Sequence, residues 1–226
     1  TYGDWSSDVC SSDLLKGCGQ CPQLNSHKKQ DLSYKVWQRK LKAWKSLKLT
    51  IVSPSQWLAG CAQASPLFND RPIHVIPHGL DLTLYQPIDR SLARKLLKLP
   101  ADRKIVLFGS SPGTTGDSRK GLHLLQPALQ VLIESGWENQ LELAIFGDQG
   151  SKAATTYGFK THYLGQFKDD ISLALVYSAA DVMVVPSLQE AFGQTASEAL
   201  ACGTPVVAFA ATGLLDIVTH QQDGYL

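Results

Sequence analysis

From Lys104 onward, short apolar runs rich in β-branched residues alternate with helical stretches, and this alternation narrows the fold more than any other feature of the chain. Strands are expected at 105–108, 141–146, 161–164, 182–185 and 206–209, and helices at 120–134, 170–179, 195–201 and 214–218. Pro127 should kink the first helix unless its pattern starts later. Such alternation builds a parallel, doubly wound α/β sheet. Runs such as Val182-Met-Val-Val185 suit strands covered on both faces. In a parallel sheet the segments that follow each strand share one edge. Here they are Gly109-Ser-Ser-Pro-Gly-Thr-Thr-Gly-Asp-Ser-Arg-Lys-Gly121, Gly147-Asp-Gln-Gly150, Gly165-Gln-Phe167, residues 186–194 and Ala211-Thr-Gly213. Their small and charged residues point to a ligand crevice at the carboxyl ends of the strands.

Ahead of this region, residues 31–47 form a basic amphipathic helix with Leu32, Val36, Leu41, Trp44 and Leu47 on its apolar face. A strand is expected at 49–52. Ser55 is placed to cap a helix over 56–64, and another strand at 73–76 leads into Pro77-His-Gly-Leu-Asp81. The expected organisation is an incomplete first domain over 15–78, a linker with a leading helix over 79–103, and a second domain over 104–226.

The 226 residues are 44% apolar with a net charge of +1. That balance argues against a nucleic-acid partner. No apolar run reaches the roughly 18 residues of a membrane span, and no leader peptide is visible. The five cysteines are Cys10, Cys18, Cys21, Cys61 and Cys202, an odd and scattered set that fits reduced thiols in the cytoplasm. Cys18-Gly-Gln-Cys21 is at best half a zinc site, with His27 nearby and no fourth ligand beside it, so a structural role is expected and no metal. His74, His78, His123, His162 and His220 share no spacing. The chain does not begin with Met, and Gly224-Tyr-Leu226 reads as the start of a strand, so both ends read as cut. Residues 4–14, with their repeated Ser-Ser-Asp, read as a translated sequencing adapter and are set aside from the fold argument.

The densest chemistry lies in residues 186–208. Glu190 and Glu198 are separated by seven residues across a strand, loop and helix start. Phe192, Gly193 and Gln194 would present backbone N–H groups to an anion at the helix N-terminus. Thr195-Ala-Ser-Glu198 also matches a capping box, in which Glu198 would only satisfy the helix end. Taken alone, Glu190 would be a solvated loop charge. Arg119 and Lys120 offer positive charge at the same edge.

Pro186-Ser, Glu190-Ala-Phe-Gly and Glu198-Ala-Leu-Ala-Cys-Gly-Thr-Pro-Val-Val-Ala208 resemble the Glu-x7-Glu signature of the retaining glycosyltransferases of family 4, or glycosyl transferase group 1. Ile76-Pro-His-Gly-Leu-Asp81, Arg119-Lys-Gly121, Phe146-Gly-Asp148, Tyr163-Leu-Gly165, Ala179-Ala-Asp-Val182, Ala211-Thr-Gly213 and Asp223-Gly224 extend the resemblance in order. The segment 18–24 is similar to one in exopolysaccharide-building bacterial members. The resemblance implies the two-domain GT-B fold, with a Rossmann-like C-terminal domain and the tail end of an N-terminal one. It implies hexosyl transfer with retention, without a metal, from a nucleotide-diphosphate sugar (UDP or GDP) to a glycan or lipid-linked acceptor. Glu190 would then bind sugar hydroxyls and Glu198 the ribose. Lys120, helped by Arg119 and by the N–H groups of Phe192, Gly193 and Gln194, would neutralise the diphosphate. Gly109 would lie beside it, and Gly165, Gln166 and Phe167 near the base.

Two departures stand out: Gly109-Ser-Ser111 where the family often has Gly-Arg, and His78 in place of Asn. Much of the acceptor-side domain is not in this sequence, so an inactive fragment is expected. The rival readings are a non-catalytic nucleotide-sugar-binding module and a GT-B sugar-nucleotide epimerase. The basic helix leaves contact with an anionic membrane surface open.

Overall fold

The computed structural model describes residues 15, 17–109, 117–147 and 157–226. Residues 4–14, Cys10, the Ser110–Ser111 departure and the loop residues Asp148, Gln149 and Gly150 lie outside the described residues. The chain divides into two compact units, residues 1–77 and 78–226.

In the first unit, Asp31 caps α1 (Leu32–Trp44) by accepting the Tyr34 N–H. The same carboxylate takes the Cys21 N–H at 2.8 Å and the Ser33 hydroxyl at 2.6 Å, and these bonds hold it well below the usual carboxylate range. The Cys21 backbone thereby fixes the approach to the helix. Cys18 and Cys21 are not in a disulfide, and among the described residues no group of three or more His, Cys, Asp or Glu is placed to hold a metal. The helix stops at Trp44 rather than Leu47, and Arg71 caps this end by donating to the carbonyls of Trp44, Lys45 and Leu47. None of its residues is buried. The strand expected at 49–52 is β1 (Ile51–Ser53), followed by α2 (Gln56–Ala64), which Ser55 caps at Leu58 N. β2 (Ile73–Val75) pairs parallel to β1. Among the described residues no helix is long and apolar enough to cross a membrane.

The second unit opens at His78 and takes in α3 (Arg90–Leu97), so residues 79–103 pack into its core through Tyr85, Ala93 and Leu99. The sheet strands are β3 (Lys104–Gly109), β4 (Leu141–Phe146), β5 (Thr161–Gly165), β6 (Val182–Val185), β7 (Val206–Ala208) and β8 (Gly224–Tyr225). They lie in the order β5-β4-β3-β6-β7-β8, all parallel. Side chains alternate across the sheet. Ile105 and Leu107 join one core with Met183, Val206 and Tyr177, while Val106 and Phe108 join the other with Leu125, Leu129 and Tyr157. This is the parallel, doubly wound α/β sheet that the alternation of strands and helices predicts.

The connecting helices are α4 (Leu122–Glu134), α5 (Asp170–Ala179) and α6 (Gln194–Ala201). Two expectations about these helices need correction. The helix expected from 120 begins at Leu122, because Gly121 adopts φ +66° and separates it from a 3₁₀ turn at Ser118–Lys120. Pro127 lies inside that helix, in its second turn. The helix expected at 214–218 is a 3₁₀ turn, Thr212–Asp216.

Candidate functional site

Chain order reverses between β3 and β6, and open α/β sheets bind ligands outside the strand ends at that point. A crevice of about 330 Å³ lies there. Gly109 and Pro186 mark the strand ends in its lining, with Lys120, Glu190, Gln194 and Thr195 around them. Gly109 packs so closely on the Phe146 ring that a Cβ would sit 2.9 Å from it.

Lys120 closes the 3₁₀ turn, and its Nζ meets Glu190 Oε1 at 2.7 Å. Both groups are partly exposed, with side chains 38% and 22% accessible. Two local arrangements put Lys120 there. Asp117 caps the turn through Arg119 N, and Leu188 N donates to Arg119 O at 2.7 Å, tying the turn to the loop after β6. Gly121 then lies against Pro186, where an added Cβ would fall 1.7 Å from the Pro186 carbonyl oxygen. Arg119 itself points elsewhere. Its guanidinium donates to both Asp117 oxygens, at 2.9 and 2.7 Å, and does not line the crevice. That pairing holds the Asp117 carboxyl below the usual range and pushes Arg119 up.

Glu190 is held by its backbone. Its N–H donates to Thr212 Oγ1 at 3.0 Å, and its carbonyl accepts from Gly213 N at 2.9 Å. α6 starts after Gly193, at φ +98° and with no side-chain cap. Phe192 is buried behind this start, edge-on to the His78 ring at 4.9 Å.

The capping-box reading of Glu198 does not hold, because Gly193 rather than Thr195 is the N-cap. Glu198 is buried on the inner side of α6 and accepts the Tyr177 hydroxyl at 2.6 Å. Burial first, and then the Glu198 charge, push the Tyr177 hydroxyl far above its ordinary range, so it stays a donor. The structure therefore brings Lys120, Glu190, Gln194 and Gly109 together and leaves Glu198 and Arg119 outside the crevice lining. Gly165 ends β5, and Gln166 and Phe167 follow it at the same sheet edge, outside that lining; Gly165 O accepts from Gly147 N. Sequence reasoning missed the Thr212–Gly213 grip on Glu190. Its signals were the position of Ala211-Thr-Gly213 after the fifth expected strand and its place among the motifs of the resemblance.

Residues 103–226 match the family model described as glycosyl transferases group 1. The chain belongs to this family. Among its relatives are the D-inositol 3-phosphate glycosyltransferases of Xylanimonas cellulosilytica and Mycolicibacterium vanbaalenii. The first is 34% identical over 171 residues, covering 68% of this chain and 39% of the relative. The second is 37% identical over 184 residues, covering 76% and 40%. The chain thus spans about two-fifths of the length of these curated relatives. Similar solved structures include the sucrose-phosphate synthase of Thermosynechococcus elongatus, with TM-score 0.65 and 28% identity over 90% of this chain and 51% of that one. Anabaena HepE in complex with UDP-glucose aligns with TM-score 0.63 and 25% identity, over 82% and 51%.

Proposed function

We propose that the second unit is the donor half of a retaining hexosyltransferase that takes a nucleotide-diphosphate sugar. The observation that carries this reading is the Lys120–Glu190 pair at the switch-point crevice. When the bond between the sugar and the diphosphate breaks, negative charge builds on the departing phosphate and positive charge on the sugar ring. Lys120 supplies a fixed positive charge to the first. The start of α6 adds the positive end of its dipole. Glu190, once its partner turns to phosphate, accepts from sugar hydroxyls and faces the oxocarbenium-like ring. The groups that meet the two charges thus form one ion pair with each other. In this reading Lys120 and the helix end provide the counter-charge, without a metal.

The assignments of Glu198 to the ribose and of Gly165–Phe167 to the base rest on the family resemblance. UDP is the first donor nucleotide to test, since HepE was crystallised with UDP-glucose. A glycan or lipid-linked acceptor belongs to the same proposal.

Thermal unfolding of the chain with UDP, GDP and ADP tests the reading. One of them, at 100 times its dissociation constant, should add about 2.7 kcal/mol of stability. Lys120→Ala should lose about 2 kcal/mol of that affinity, the scale of a hydrogen bond to a charged group. Stabilisation that is equal in the variant would place the nucleotide elsewhere.

A further inference from the structure

We propose that Thr212 is a positioning residue for Glu190, its hydroxyl fixing the backbone from which the carboxylate reaches the donor sugar; the proposal rests on the donor-site reading above. The Glu190 side chain leaves a loop, residues 186–193, that has no regular secondary structure of its own. Its direction is therefore set by what holds the loop. At Glu190 both backbone groups are claimed by one neighbour: Thr212 Oγ1 accepts the N–H and Gly213 N donates to the carbonyl. The approach is tight, since a Cβ on Gly213 would come within 2.7 Å of Ala191 O and 2.8 Å of Glu190 O.

Thr212 holds this place in a conformation that a threonine resists. Its φ is +56°, in the left-handed region that a β-branched residue rarely enters. Glycine would occupy it without strain. A residue kept where a smaller one fits better points to its side chain, and strained residues of this kind gather at ligand sites. Among the atoms that threonine has here and glycine lacks is the oxygen that accepts the Glu190 N–H.

A merely structural role would move stability and binding together. The positioning role separates them. The test compares Thr212→Ser, Thr212→Ala and Thr212→Gly in the full chain. Affinity is measured for UDP against UDP-glucose, and for GDP against GDP-mannose, while amide exchange at Glu190 is followed by NMR. Thr212→Ser should keep both the sugar-dependent gain in affinity and the protection of the Glu190 amide. Thr212→Gly should melt no lower than the parent, yet lose at least about tenfold of the sugar-dependent gain and about tenfold of the amide protection. Thr212→Ala should lose both to a similar extent. A parent chain that binds none of the four ligands overturns the donor-site reading and this proposal with it. A parent that binds, with alanine and glycine variants that match it in sugar-dependent affinity or in Glu190 exchange, overturns the positioning role alone.

Discussion

Gly121→Ala is expected to lower the melting temperature by about 6–12 °C and to abolish nucleotide binding. A methyl at this position would lie 1.7 Å from the Pro186 carbonyl oxygen, and the backbone sits at φ +66°. Neither neighbour can yield cheaply. Pro186 is backbone at the end of β6, and Gly121 joins the 3₁₀ turn to α4. Forcing them apart costs about 3 kcal/mol as a clash at a special backbone position. In a unit of this size that corresponds to about 2–4 °C per kcal/mol. The same displacement carries Lys120 away from Glu190 and strains the Leu188–Arg119 backbone bond. Differential scanning calorimetry with a nucleotide titration reads both effects. A variant that melts like the parent and still binds would show that the turn is not held by this contact.

Arg94→Ala should destabilise by a similar or larger amount while leaving nucleotide affinity intact at low temperature. Arg94 is buried and makes five hydrogen bonds: to the carbonyls of Ala179, Pro100, Ala101 and Arg103, and to Asp181 Oδ2 at 2.6 Å. Asp181 also accepts the Ile105 N–H at 2.8 Å, so the pair joins α3 to the amino ends of β3 and β6, opposite the crevice. Removing the arginine takes the donor from four carbonyls and the shortest ion pair from Asp181, at about 3 kcal/mol, while Arg90 at 3.2 Å and Lys104 at 3.4 Å still face the carboxylate. Burial acts to raise the Asp181 carboxyl, but the Ile105 N–H and Arg94 outweigh it and hold the group below its ordinary value. Its contribution is therefore fully present above the unfolded carboxylate pKa, near about 4, and falls away as the pH drops through the folded value. The stability gap between the parent and Asp181→Asn should be widest at neutral pH and narrow below pH about 4.

These two contacts also mark what the sequence made legible. β4, β6 and α5 match their expected bounds, because apolar β-branched runs and the Asp169 cap encode them locally. α2 behind Ser55 is legible for the same reason. The misplaced ends depend on residues far along the chain or on one backbone angle. Arg71 caps the end of α1 from 24 to 27 residues away. Gly121 splits one expected helix with a single positive φ. In the site, the signature spacing picked out Glu190, and the common sheet edge picked out Lys120. That they form one ion pair needed the fold, since 70 residues separate them. Arg119 reads in sequence as a helper of Lys120, but an aspartate two residues before it captures the guanidinium. Glu198 shares the signature with Glu190, yet it points to the inner side of α6 and Tyr177 holds it. Motif order revealed the family, while local pairing decides which charge faces the crevice.

The central claim is that the Lys120–Glu190 pair opens to receive a nucleotide-diphosphate sugar at the β3–β6 switch point. A crystal structure of the chain with the nucleotide that stabilises it most tests this directly. The account predicts the diphosphate at the crevice, with Lys120 Nζ within hydrogen-bond distance of a phosphate oxygen and turned away from Glu190. A nucleotide bound elsewhere, or one seated in the crevice with the ion pair still closed at 2.7 Å, would contradict it.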